Sequence, residues 1–196
     1  QLAPAFAVVV ADYDGDGRED VFLSQNFFDG EAETSRSDAG RGLWLQGDGQ
    51  GGLRAVPGRE SGVMVYGEQR GAAAADFDGD GRVDLVVTQN GDQARLFRNV
   101  RAKPGLRVRL KGPPGNPWGI GSQIRLKSGD RLGPVREVHC GSGYWSVDSP
   151  VSVLGCAEPP KQLWVRWPGG KSFAADIPAG ASEIEVSQEG NLIRWK

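Results

Sequence analysis

The sequence predicts an all-β chain: β-propeller blades forming part of a propeller, followed by a small antiparallel β-sandwich or barrel. Three observations predict it. Thirty glycines and twelve prolines among 196 residues require frequent turns. Short runs alternate apolar and polar residues, whereas no window sustains the 3.6-residue period of a helix. An acidic stretch returns sixty-four positions later, as a repeated supersecondary unit does.

The first element is "FAVVVA", Phe6 to Ala11, apolar and short enough for a strand. It runs into "ADYDGDGRED", which sets Asp12, Asp14, Asp16, Glu19 and Asp20 within nine residues. Ionised carboxylates that close repel one another by about 1 kcal/mol even in water, so a positive charge is expected among them. "ADYDGDGREDVFLSQN" and "ADFDGDGRVDLVVTQN" share ten of sixteen residues, and Asp76, Asp78, Asp80 and Asp84 repeat the four aspartates. Glu19 becomes Val83 in the second copy and is read as a solvated side chain. Carboxylates at positions 1, 3 and 5 with glycines at 4 and 6 let the backbone curl around one hard cation, and calcium fits best. An EF-hand loop would carry Glu at position 12 and lead into a helix. Here position 12 is Leu23 or Val87, and "VFLSQN" and "LVVTQN" read as strands, so the loops join strands.

After the first loop come "LWLQ", "LRAV" and "VMVY", strand candidates separated by glycine-rich turns; in the second copy "ARLFRNV" takes the place of "GLWLQ". One period therefore holds about four strands, as a propeller blade does. Two copies cannot close a ring, so further blades are expected N-terminal to these in a longer chain. The polar segment Phe28 to Gly42 reads as a surface insertion.

Charge divides the chain. Residues 1 to 100 hold 9 Lys and Arg against 17 Asp and Glu, and residues 101 to 196 hold 14 against 8. The break falls near "VRAKPG", giving units 1–103 and 104–196. In the second unit "LRVRLK", "QIRLK" and "LWVRW" alternate as strands with one buried face. Cys140 and Cys156 bracket an expected hairpin, and either a disulfide, worth about 3 kcal/mol by loop closure, or two free, buried thiols satisfies the sequence. Their spacing fits no zinc site, and His139 is the only histidine. No apolar run approaches a membrane span, and a chain opening on Gln1 without a signal peptide reads as a mature or excised piece.

These motifs carry a resemblance. The DxDGDGxxD loops, each followed by an apolar strand, with Leu96-Phe97-Arg98-Asn99 after the second, resemble FG-GAP or VCBS repeats of integrin α-type propellers. "NPWGIGSQIRL", "REVHCGSGYWS" and "LWVRWPGG" are similar, in order, to the ASPIC/UnbV domain that follows such propellers in the cartilage acidic protein family. The first resemblance implies two calcium sites with ligands Asp12, Asp14, Asp16, Asp20 and Asp76, Asp78, Asp80, Asp84, and with the backbone carbonyls of Arg18 and Arg82. Gln46 stands where the family's first-copy asparagine is expected, and Val153-Leu154-Gly155-Cys156 replaces "FGLG".

Arg107, Arg109, Lys111, Arg125 and Lys127 belong to a region, residues 101 to 136, whose only acid is Asp130. If their strands align they form a basic stripe suited to a sulfated or carboxylated glycan; the alternative is a solvated sheet face. Tyr144 and Trp145 offer rings for sugars or for packing. With the aspartates committed to calcium, no nucleophile and base group around His139, and no nucleic-acid motif, the expected function is a non-catalytic, calcium-binding extracellular module for adhesion or for protein or glycan binding. The competing expectation is an accessory or catalytic part of a secreted glycan-processing protein with its active site in missing blades. Loops with few rigid ligands suit calcium-rich compartments: the extracellular space, or a periplasm or cell surface in a bacterium.

Overall fold

The computed structural model describes residues 3–28, 30–35, 38–129 and 131–195. The first half is two propeller-like sheets. β1 (Ala5–Ala11), β2 (Asp20–Gln25), β3 (Leu43–Gly47) and β4 (Leu53–Val56) form an antiparallel meander in chain order. After one helical turn, α1 (Gly58–Ser61), come β5 (Glu68–Ala75), β6 (Asp84–Asn90) and β7 (Arg95–Phe97).

The repeat of the sequence is a repeat of register. Val8 pairs with Leu23 and Val10 with Val21 in the first sheet; Ala72 pairs with Val87 and Ala74 with Leu85 in the second. Alternation sorts the faces. Ala7, Val9, Ala11 and Phe22 pack with Ala72, Ala74, Leu85 and Val87 in one buried cluster. Val8 and Val10, on the opposite face of β1, stay 49% and 46% exposed. They are the repeat equivalents of Ala72 and Ala74, so the face buried in the second sheet is the one left open in the first.

Two expectations are corrected. "VMVY" is not a strand: Val65 is buried and its N–H donates to the Arg41 carbonyl at 2.9 Å, but residues 63–66 join no sheet. The first sheet keeps four strands without it, and the second, β5 to β7, has three. The described residues of Phe28 to Gly42 form no strand, in keeping with an insertion, while positions 29, 36 and 37 lie outside the described residues.

The second half begins with β8 (Leu106–Lys111), β9 (Gln123–Ser128), β10 (Arg131–Leu132), β11 (Arg136–Glu137) and β12 (Ser152–Leu154). It ends with β13 (Gln162–Arg166), β14 (Ser172–Asp176), β15 (Glu183–Ser187) and β16 (Leu192–Trp195). One sheet runs β12-β8-β15-β16; the other runs β10-β9-β13-β14, with β11 also on β9. Leu106, Val108, Leu110, Ile184 and Val186 of the first meet Ile124, Leu126, Leu163 and Val165 of the second in one buried cluster that includes Trp167. The predicted sandwich is therefore present, but it is not purely antiparallel: β15 pairs with β8 in parallel. Parallel neighbours need a crossover, and here the whole opposing sheet is built between them.

The two halves share an interface. Val153 joins the apolar cluster of the blades. β1 and β5 are edge strands of their sheets, and residues 136–149 lie along them. Arg136 Nη1 donates to the Val10 carbonyl (3.1 Å), Ser149 N to the Ala74 carbonyl (2.9 Å), and Ala74 N to Asp148 Oδ1 (2.7 Å). The hairpin expected between the cysteines is reduced to a tight turn bridged by Ser142 and Ser146. Both thiols are free, Cys140 exposed and Cys156 partly buried. Of the two alternatives the structure has free thiols and no disulfide, and they are not both buried, because Cys156 packs against the sandwich core while the Cys140 loop runs over the blades.

Candidate metal centre

Each aspartate loop is wound by its own first carboxylate. Asp12 Oδ1 accepts from Gly15 N (2.8 Å) and Asp16 N (3.1 Å), and Oδ2 from Gly17 N (2.8 Å). Asp76 does the same with Gly79 N (2.8 Å), Asp80 N (3.0 Å) and Gly81 N (2.8 Å). The winding needs left-handed residues at positions 4 and 6, and Gly15 and Gly17 adopt φ 74° and 86°. The last aspartate fastens the loop to the sheet. Asp20 accepts from Tyr13 N (3.0 Å) and Gly47 N (2.9 Å); Asp84 accepts from Phe77 N (2.8 Å) and Asn99 N (2.7 Å).

This folding brings one carboxylate oxygen from each of Asp12, Asp14 and Asp20 within 4.8 Å of one another, and likewise from Asp76, Asp78 and Asp84. Asp16 and Asp80 stand outside these groups. Asp16 accepts from Arg18 N at 2.8 Å and lies 3.4 Å from Arg18 Nη1; Asp80 lies 2.7 Å from Arg82 Nη1. Arg82 also donates through Nε to the Ala102 carbonyl (2.7 Å). Burial pushes Asp12 up to about 7, against the N–H groups of Gly17 and Gly15 and assisted by the charges of Asp14 and Asp16. Burial likewise raises Asp20 to about 6, against the N–H groups of Gly47 and Tyr13. Convergent, all-oxygen and partly desolvated, the first group fits a hard cation, which would restore the ionised state that burial opposes.

The ladder overturns one alignment. Phe22 pairs with Trp44 and Val86 with Leu96, so Gly47, not Gln46, takes the place of Asn99. Gln46 matches Arg98, and both reach position 3 of their loops: Gln46 Nε2 donates to Asp14, and Arg98 Nε contacts Asp78. Sequence reasoning missed these partners, and it missed Arg107, whose Nη1 donates to Asp76 Oδ2 at 2.7 Å. Arg107 Nε also lies 3.2 Å from Glu183 Oε2, without the alignment of a hydrogen bond. Glu19 is only partly solvated; it pairs with Arg136 across the two halves.

The basic stripe does not form. Arg107, Arg109 and Lys111 stand in β8, and Arg125 and Lys127 in β9, which belong to different sheets. β15 sets Glu183 and Glu185 opposite Arg107 and Arg109, with Arg109 3.9 Å from Glu185 and its guanidinium over the Trp118 ring. Arg125 is spent on the Gly133 carbonyl at 3.0 and 2.7 Å. Asp130 lies outside the described residues. Tyr144 packs edge-on against Phe6 with ring centres 5.5 Å apart, whereas Trp145 is 91% exposed.

Fold and site together define a chain of propeller-like blades with acidic loops, joined to a β-sandwich. The family described as ASPIC and UnbV matches residues 112–192. Cartilage acidic protein 1 of Xenopus tropicalis is 26% identical over 187 residues, 91% of this chain and 28% of the relative. Cartilage acidic protein 1 of Homo sapiens is 24% identical over 185 residues, 91% of this chain and 27% of the relative. The chain thus spans little more than a quarter of the length of these relatives, and the second half is similar to the ASPIC and UnbV family. Among the described residues no helix is long and apolar enough to cross a membrane.

Proposed function

We propose that the chain is part of a calcium-binding, non-catalytic extracellular module for adhesion or for binding protein or glycan, made of FG-GAP or VCBS-like blades and an ASPIC/UnbV-like domain. The carrying observation is the pair of three-carboxylate groups, each within 4.8 Å, at equivalent places in two repeats. Asp12, Asp14 and Asp20 would hold one ion and Asp76, Asp78 and Asp84 the other, with Asp16, Asp80 and the carbonyls of Arg18 and Arg82 completing the shells the resemblance implies. Bound calcium supplies charge neutralisation at loops that join β1 to β2 and β5 to β6. The open face of Val8 and Val10 supports further blades in the whole protein, since its repeat equivalent is buried by a neighbouring sheet. Similarity to cartilage acidic protein 1 supports an extracellular setting, with a periplasm or cell surface the bacterial counterpart.

The test is thermal unfolding after chelation, with calcium added back and magnesium as control. A calcium-specific rise in midpoint is expected, because an ion that binds only the native state stabilises it by mass action. No shift in a folded chain would remove calcium from this reading.

A further inference from the structure

The two loops are alike in backbone and unlike in charge. Among the described residues no ion pair reaches Asp12, Asp14 or Asp20; their partners are backbone N–H groups and the neutral amide of Gln46. In the second loop Asp76 bonds Arg107 and Asp78 contacts Arg98. Arg107 is 15% exposed and the Asp76 side chain 1%, so this pair is shielded from solvent, whereas Arg98 is 63% exposed.

The difference traces to one end of the β8–β12 pair. Leu106 pairs with Leu154, so β8 and β12 meet the blades side by side. Just past β12, Gly155 faces the first loop so closely that a Cβ there would lie 1.9 Å from Asp12 Oδ2. One residue after Leu106, Arg107 faces the second loop. The sandwich thus presents a bare backbone to one carboxylate group and a guanidinium to its repeat equivalent.

We propose that only the first loop is a free cation site, and that the second is balanced by the chain's own Arg107 and Arg98, so that a divalent cation enters it only by displacing them. The proposal rests on the calcium reading given above. Its consequence is a coupling between metal and architecture: an ion in the second loop takes Asp76 from Arg107, leaves the guanidinium to Glu183, and gives up one of the bonds holding β8 to the blades.

Calorimetric titration of the chain with calcium tests this in the wild type and in Asp14→Asn, Arg98→Gln and Arg107→Gln. Wild type should show one tight site and a second weaker by about tenfold or more, since a guanidinium in contact with a ligand repels an incoming cation. Asp14→Asn should remove the tight site alone. Arg98→Gln and Arg107→Gln should each strengthen the weak site by a factor of about three or more. Arg98→Gln, at an exposed side chain, keeps the test open should Arg107→Gln fail to fold. Two equal sites in wild type, or arginine variants that leave the weak site unmoved, overturn the proposal while leaving the calcium reading standing. No binding in any variant overturns both.

Discussion

Replacing Gly155 by alanine should break the contact between the sandwich and the first aspartate loop. The new Cβ would lie 1.9 Å from Asp12 Oδ2, 3.0 Å from Asp12 Cγ and 3.1 Å from Gly17 N. Asp12 has no easy retreat, because both oxygens are held by N–H groups of its own loop. Overpacking costs about 1–3 kcal/mol, and loss of a hydrogen bond to a charged group about 1.5–3 kcal/mol. The two together give a destabilisation of about 3–5 kcal/mol. Urea unfolding in chelator above pH 7, where Asp12 is ionised, reads this directly as a shift in midpoint at constant slope. Gly115→Ala is the control: nothing lies within 4 Å of its Cβ, so the outcome there is between no change and a gain of about 1 kcal/mol. A loss below about 1 kcal/mol for Gly155→Ala would refute the reasoning, showing that Asp12 has room to move and that the sandwich does not seat the loop.

In the chelated protein Asp12 at about 7 and Asp20 at about 6 lie above the ordinary 3.8, so the native state keeps protons the unfolded chain has released. Stability from these two groups should therefore fall as pH rises from about 4 to about 7; calcium should cancel that fall and Asp12→Asn reduce it to the share of Asp20, as read from melting midpoints. Glu19→Gln strips Arg136 of its carboxylate at a partly buried contact and should cost about 1–3 kcal/mol in urea, with calcium affinity unchanged. Val8→Asp should leave the melting point of this chain nearly unaltered, yet destabilise a longer chain in which another blade covers that face; equal effects in both would mean the face stays open.

The aspartate loops were legible because their physics is local: carboxylates and left-handed glycines within nine residues dictate the winding whatever surrounds it. Strand alternation was legible for the same reason. Pairings between distant residues were not. Asp76 meets Arg107 31 positions away and Glu19 meets Arg136 117 positions away, and nothing in either neighbourhood announces the partner. Glu19 was misread because Val83 replaces it in the second copy; yet Val83 is buried, so the change marked a different neighbour, not exposure. The basic stripe failed because β8 and β9, successive in the chain, lie in opposite sheets. Gln46 was misaligned because a ladder register, invisible in the linear spacing, decides which residue stands opposite which.

The strip of chain along β1 and β5 also governs how the protein is made. Until Asp148 and Ser149 arrive, the edge groups of Ala74 have no partner, and Asp148 follows Ala74 by 74 residues. At about 5–20 residues per second of synthesis, that interval is about 4–15 s. During it the edges of β1 and β5 stay uncovered, the form of surface most prone to pair with another chain. Truncations ending before Asp148 should therefore aggregate where the whole chain does not, and the last third of the polypeptide acts as the cover its first half must await.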